Sequence, residues 1–257
     1  MDSLNEIRTY ATKLQLVNTR AHLEEIIHEA AITQPSYTDF LNNVLRWEFE
    51  SKQDRATLKR IKDAGFPYYK SLESFDFSFC HSLSQRQFNQ LCELNWIDGI
   101  YNLILSGPPG VGKTHLAIAL AYKACETGYK VSYTTMQSLM KILRMQEIDR
   151  KSKIKLNRIL KSNLLVIDEV GYLPISAVEG NLFFQLISEL QEQCSIIITT
   201  NKGFEEWAEF LNDAALAAAI LDRLSYRCDR IHLGGKSYRL ENRKSFLYDE
   251  EDTPNGI

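Results

Sequence analysis

Gly107-Pro108-Pro109-Gly110-Val111-Gly112-Lys113-Thr114 is the stretch on which the reading of the whole chain turns. Its spacing is GxxxxGK[ST], the pattern of a phosphate-binding loop set between a strand and a helix. Such a loop closes backbone N–H groups around phosphate oxygens. Glycine permits this because it tolerates positive φ and leaves room for the ligand. Lys113 would bridge β- and γ-phosphates as a mobile charge, and Thr114 would hold Mg2+ through its hydroxyl. The helix expected over 114–126 aims the positive end of its dipole at the same phosphates. Immediately ahead, the apolar run Asn102–Ser106 supplies the strand.

Working outward, further short apolar runs alternate with helical patterns, which is the α/β signature. Strands are expected at 130–135, 164–168, Ser195–Thr200 and 230–233. The unbroken runs Leu164-Leu165-Val166-Ile167 and Ile196-Ile197-Ile198 suit parallel strands covered on both faces. The first of them delivers Asp168-Glu169 to its C-terminal edge, where ligands of open α/β sheets sit. Asp168 would hold Mg2+, directly or through water, and Glu169 would polarise a water attacking the γ-phosphate. Thr199-Thr200-Asn201 ends another apolar run. Asn201 is placed to orient that water or to sense the γ-phosphate, although an Asn after a strand is also an ordinary turn residue.

These segments together resemble the Walker A, Walker B and sensor 1 elements of AAA+ ATPases, and more specifically the IstB-like transposition helper ATPases, relatives of the DnaC helicase loaders. The resemblance rests on residues 105–117, on Val166-Ile167-Asp168-Glu169-Val170-Gly171-Tyr172-Leu173-Pro174 and on Asn181-Leu182-Phe183-Phe184-Gln185-Leu186. Ile198-Thr199-Thr200-Asn201, Leu221-Asp222-Arg223-Leu224 and Ser237-Tyr238-Arg239-Leu240 add to it. It runs from the N-terminal helices to about Lys244, while the basic segment 150–161 and the acidic tail depart from it. The fold it implies is α/β, with a parallel five-stranded sheet in the order 5-1-4-3-2 flanked by helices, plus a small all-α N-terminal domain. It further implies a homo-oligomer with ATP at subunit boundaries. Nucleotide contacts would come from the loop, from His115 and, at the sensor 2 position, from Arg239. Arg223 matches the arginine-finger position that completes a neighbour's site, with Arg227 as a competing candidate.

The remaining sequence divides into a helical domain over 1–66, a docking segment over 67–98, the ATPase domain over 99–246 and an acidic tail over 247–257. In the helical part Ser3-Leu4-Asn5-Glu6 fits a capping box, and Leu4, Ile7, Ala11 and Leu14 fall on one face. Leu23, Ile26, Ile27 and Ala30 form a second face, and Phe40, Val44 and Leu45 a third after a new start at Ser36-x-x-Asp39. No apolar run reaches the ~18–20 residues that cross a bilayer, and the first residues lack a secretion pattern, so a cytoplasmic protein without a membrane partner is expected. Cys80, Cys92, Cys125, Cys194 and Cys228 are scattered without a CxxC pair, which speaks against a disulfide framework or a zinc site.

The net charge of −3 conceals segregation. Residues 141–161 carry eight basic and two acidic side chains, a local charge of +6. Lys151, Lys153, Lys155 and Arg158 are the candidate DNA contacts, with a second basic group at Lys52, Arg55, Lys59, Arg60 and Lys62. Duplex DNA bound through its backbone with weak sequence preference is the expectation, since no helix-turn-helix or zinc-finger pattern is present. Together with these features, the resemblance implies an ATP-dependent, DNA-binding helper of a cognate transposase that remodels target DNA, with hydrolysis controlling assembly or release. A DnaC-like helicase loader is the alternative.

Overall fold

The computed structural model describes residues 3–77 and 82–243. Cys80 and the acidic tail expected over 247–257 lie outside the described residues. Contacts divide the chain into two compact units, Met1–Arg60 and Ile61–Ile257.

The first unit holds α1 (Ser3–Lys13), α2 (Val17–Ala21), α3 (Leu23–Thr33) and most of α4 (Tyr37–Ala64). Ser3 is already within the helix, so it does not stand at the N-cap position expected of it. The start at Ser36 is as read: the Asp39 N–H donates to Ser36 Oγ at 3.2 Å, and that hydroxyl donates to the Asp39 carboxylate. The expected apolar faces need correction. Ile7, Leu14, Ile27 and Leu45 are exposed, and only Ala11 and Leu23 of those faces are buried. A unit this small has little interior to offer. Leu14 moreover falls past the end of α1, where Gln15 turns the chain at φ 57°.

The buried residue of α4 within this unit is a carboxylate, Glu48. It accepts the free N–H groups of Asn18 and Thr19 in the first turn of α2 at 3.0 and 2.9 Å, and the Thr19 hydroxyl at 3.1 Å. Arg55 lies 3.4 Å from its other oxygen. Burial pushes the Glu48 pKa up, but the hydrogen bonds from Thr19 and Asn18 and the Lys52 charge outweigh burial and hold it below its usual 4.5.

The second unit continues with α5 (Gln85–Cys92) and α6 (Asn95–Asp98), then β1 (Asn102–Ser106), α7 (Lys113–Thr127), β2 (Val131–Thr135), α8 (Met136–Met145) and α9 (Arg150–Ile159). It goes on through β3 (Leu164–Val170), α10 (Ala177–Leu190), β4 (Ser195–Thr200), α11 (Trp207–Leu211), α12 (Ala214–Ser225), β5 (Cys228–His232) and α13 (Tyr238–Glu241). All strand pairs are parallel, in the order β2-β3-β4-β1-β5, which is 5-1-4-3-2 read from the other edge. Helices flank the sheet. β5 begins two residues earlier than the apolar pattern indicated because its Cys228 pairs with Asn102 at the sheet edge.

Alternation explains the unbroken apolar runs. Ile104, Leu165, Ile167, Ile196 and Ile198 enter one core with Leu139 of α8, Phe183 of α10 and Ile220 of α12. Leu103, Leu105, Leu164, Val166 and Ile197 enter the other with Leu116, Leu120 and Ala124 of α7. Both faces are therefore buried, as parallel sheets require. Phe75 of the segment before α5 belongs to that second core and stacks on Phe88 at 5.8 Å.

Because the folded pKa of Glu48 is depressed, its contribution to stability is full above about pH 4.5 and is lost as pH falls through the lower folded value. Glu48→Gln should lower the neutral-pH stability of the helical unit by roughly 1–3 kcal/mol and flatten its acid limb. Thermal melts of the full chain followed by circular dichroism between pH 3 and 7 measure both; an unaltered acid limb would refute the assignment.

Candidate functional site

The loop between β1 and α7 is built on three glycines in backbone conformations that other residues adopt only under strain: Gly107 at φ 143°, Gly110 at 86° and Gly112, which caps α7, at 99°. Two of them also lack room for a side chain. A Cβ on Gly107 would come within 2.1 Å of the Leu233 carbonyl oxygen, and one on Gly110 within 2.1 Å of the Ser237 hydroxyl. The end of β5 and the start of α13 therefore press directly on the loop. The Tyr238 N–H donates to the Gly110 carbonyl at 3.1 Å.

Lys113 is buried, and its Nζ donates to the Gly107 and Pro108 carbonyls at 2.8 Å each. Burial lowers its pKa, with the Arg239 charge acting in the same direction and Asp168 opposing. The loop therefore curls around a charged group already oriented along it. That geometry fits a polyphosphate, whose oxygens would replace the loop carbonyls as partners of Nζ.

Asp168 is buried near the C-terminal edge of β3 and is the acceptor for three hydroxyls. Thr114 of α7 donates to Oδ1 at 2.9 Å, Thr199 of β4 donates to the same oxygen, and Tyr133 of β2 donates to Oδ2 at 2.7 Å. Burial and the hydrogen bond to Asp168 push the Tyr133 phenol far above its usual 10, so it stays a donor. Among the described residues no group of three His, Cys, Asp or Glu gathers to bind a metal. A hydroxyl and a carboxylate 2.9 Å apart instead offer two hard oxygen donors, which suits Mg2+ completed by phosphate and water.

Glu169 sits at φ 63°, where β3 loses register with β4, and its side chain is exposed. Its N–H donates to Thr199 Oγ1 at 3.0 Å. The irregularity turns two consecutive carboxylates to different environments: Asp168 inward, Glu169 to solvent at the site mouth. Tyr68 and Tyr172 flank this mouth. Burial raises both phenol pKa values, as do the charges of Asp168 and Glu169. Asn201 is exposed and follows Thr200, which pairs with Ser106 at the root of the loop.

Other residues singled out from the sequence lie elsewhere. His115 is half-buried, with Nε2 at 3.2 Å from the Ser71 carbonyl and 3.1 Å from Ser74 Oγ, and its ring meets Phe75 edge-on. Arg223 lies toward the N-terminal ends of the strands, away from the loop. It donates to the Ala219 carbonyl at 3.0 Å and lies over the Phe184 ring at 4.4 Å. Its neighbours Leu224 and Arg227 bond to Asn102, the first residue of β1, whereas the loop follows the last. On α9, Lys151, Lys153 and Lys155 are exposed; Arg158 is tied to the Asp63 carbonyl and carboxylate at 2.8 and 3.2 Å.

Residues 9–245 match the family model described as IstB-like ATP binding protein. The chain belongs to that family. It is 38% identical over 251 residues to a protein of Bacteroides fragilis named as an insertion sequence IS21-like ATP-binding protein, covering 98% of this chain and 95% of that one. It is 36% identical over 252 residues to the one named for insertion sequence IS21 of Pseudomonas aeruginosa, with the same coverage of 98% and 95%. Among solved structures, DnaI gives a TM-score of 0.54 at 22% identity over 64% of this chain and 91% of that one. Replication initiator DnaA bound to AMPPCP and single-stranded DNA gives 0.51 at 18% identity, over 66% and 51%. At such identities the likeness is of fold alone.

For this IstB-like protein, sequence reasoning missed two of the three residues that hold Asp168. A signal existed. Thr199 stands beside Asp168 on the neighbouring strand, and Thr135, which pairs with Asp168, puts Tyr133 two residues back on the same face. Gly107 and Gly128 separate two effects of adding a methyl group. Both have positive φ, but only at Gly107 does the new Cβ strike a backbone carbonyl; at Gly128 nothing lies within 4 Å. Gly128→Ala should cost about 1–2 kcal/mol from backbone strain alone. Gly107→Ala should cost distinctly more, and paired thermal melts compare them directly.

Proposed function

We propose that this chain hydrolyses ATP at residues 107–114 and, as an oligomer assembled on duplex DNA, serves a transposase. The observation that carries the chemical part is the meeting of Lys113, Thr114 and Asp168 at the C-terminal sheet edge, with Glu169 exposed beside them. When bound, Mg2+ supplies neutralisation of phosphate oxygen charge and holds the polyphosphate in one orientation. Thr114 and Asp168 are the residues that would hold it.

Lys113 binds the β- and γ-phosphates, and backbone N–H groups of the loop orient them. Glu169 aligns a water and takes its proton as the water oxygen bonds to the γ-phosphorus; the bond from that phosphorus to the β-bridging oxygen breaks, leaving ADP and phosphate. Asn201, one residue beyond the strand position that pairs with Ser106, orients the same water. Arg239 senses the nucleotide from α13, whose first residue bonds the loop backbone. Arg223 cannot serve its own chain's loop from the other end of the sheet, and this supports a role in a neighbouring subunit. There its planar guanidinium would stabilise charge on the transferring phosphoryl group. The insertion-sequence names of the relatives support the transposase partner.

Lys113→Ala should weaken ATP binding roughly 10- to 100-fold, from ~1.5–3 kcal/mol per hydrogen bond to a charged group. Glu169→Gln should bind ATP normally and turn over ~10²–10⁴-fold more slowly. Arg223→Ala should bind ATP yet lose turnover, and mixing it with Lys113→Ala should restore part of it; no restoration at any ratio would refute action between subunits.

DNA contact rests on the exposed lysines of α9. Replacing Lys151, Lys153 and Lys155 with Ala should weaken binding to any duplex sequence and reduce the salt slope of log K by up to ~3. Equal affinity and slope would remove α9 from the interface. Tighter capture of a replicative helicase than of a transposase by the ATP-bound chain would turn the partner assignment to helicase loading.

A further inference from the structure

Asp168 stands on β3, between β2 and β4, and each neighbour sends a hydroxyl to one of its carboxylate oxygens. Tyr133 reaches Oδ2 from β2, and Thr199 reaches Oδ1 from β4. The two donors approach from opposite sides, so the carboxylate cannot swing toward either without losing a bond in a buried setting. Thr114 completes the arrangement from α7 at Oδ1.

The Tyr133 ring is itself held in place. It lies 6.2 Å from the Phe66 ring, and Phe66 in turn lies 5.9 Å from Tyr122 of α7. Both Phe66 and Tyr133 pack against the core on the α7 face of the sheet. The hydroxyl is therefore carried on a ring with aromatic neighbours, a better-fixed donor than a flexible side chain reaching from solvent.

We infer that Tyr133 and Thr199 are positioning residues that lock the Asp168 carboxylate in the one orientation able to receive a divalent cation together with Thr114. Neither touches the nucleotide; each acts through Asp168. The inference rests on the proposed role of Asp168 as a metal-holding group. Outer-shell partners of this kind typically alter metal affinity by 10–100-fold when removed. Tyr133 is the more informative of the two, because phenylalanine keeps the ring on Phe66 and removes only the hydroxyl.

The test is Mn2+ titration of the full chain in the presence of saturating ADP, read by electron paramagnetic resonance as the half-saturating Mn2+ concentration. Metal-free ADP affinity and the unfolding midpoint are measured alongside. Tyr133→Phe should raise half-saturating Mn2+ about tenfold while metal-free ADP affinity stays as in the parent. Thr199→Val, which leaves the aromatic packing intact, should move it in the same direction and provides the test if the Tyr133 variant does not fold. A lowered unfolding midpoint with unchanged Mn2+ affinity in both variants, while Asp168→Asn weakens Mn2+, would overturn the positioning role alone. Unchanged Mn2+ affinity in Asp168→Asn would overturn the metal-holding role of Asp168 and this inference with it.

Discussion

A carboxylate can be buried only if hydrogen-bond donors surround it, and Asp168 imposes that demand on the centre of this molecule. Satisfying it brings one hydroxyl from each neighbouring strand and one from the loop helix to a single point. Those three donors are correctly placed only if β2, β3 and β4 keep their parallel register and α7 starts where Gly112 starts it. The strand order, the loop and the helix start are thus tied together by one desolvated charge. An error in any of them would take one of three donors away from a buried acceptor, at a cost of about 1–3 kcal/mol.

The same strand changes character within one residue. β3 carries Asp168 inward and then breaks register with β4, so that Glu169 adopts a positive φ that few non-glycine residues take. Strain of this kind persists where the surroundings over-determine it. Here the Glu169 N–H is held by Thr199, the residue that also holds Asp168. One threonine thus fixes two consecutive acidic residues in opposite environments, one suited to holding a cation and the other to meeting water.

Much of this was legible from residue types. The loop needs glycine at fixed positions, so its pattern survives as letters. The strands of a doubly covered sheet must be apolar on both faces, and Leu164-Leu165-Val166-Ile167 and Ile196-Ile197-Ile198 stand out as such runs. What stayed hidden depended on register. Tyr133 reads in sequence as an ordinary strand aromatic, and only pairing of Thr135 with Asp168 reveals which face it shares. The helical unit misled for a different reason. Helical periodicity marks which side chains share a face but not whether anything covers that face. In that unit Ile7, Leu45 and Phe49 stay in solvent, while the polar Glu48 is buried because the free N–H groups of α2 need an acceptor.

Charge shows the same gap between composition and placement. A net charge of −3 sets no obstacle to a polyanion, because residues 249–252 contribute four negative charges at the far end of the chain. Nor does the local +6 of residues 141–161 translate into six contacts. Arg144 is paired with Glu179 and Arg158 with Asp63, so part of the charge is already compensated. What α9 offers in one chain is Arg150 and a short row of three exposed lysines. Four such charges would give weak, salt-sensitive attraction to a duplex, and useful affinity would require several copies side by side. Arg223, toward the strand ends opposite its own loop, bears on the same proposal from the standpoint of chemistry. An oligomer of the kind proposed above would supply both what the lysines of one chain lack in charge and what its loop lacks in a nearby Arg223.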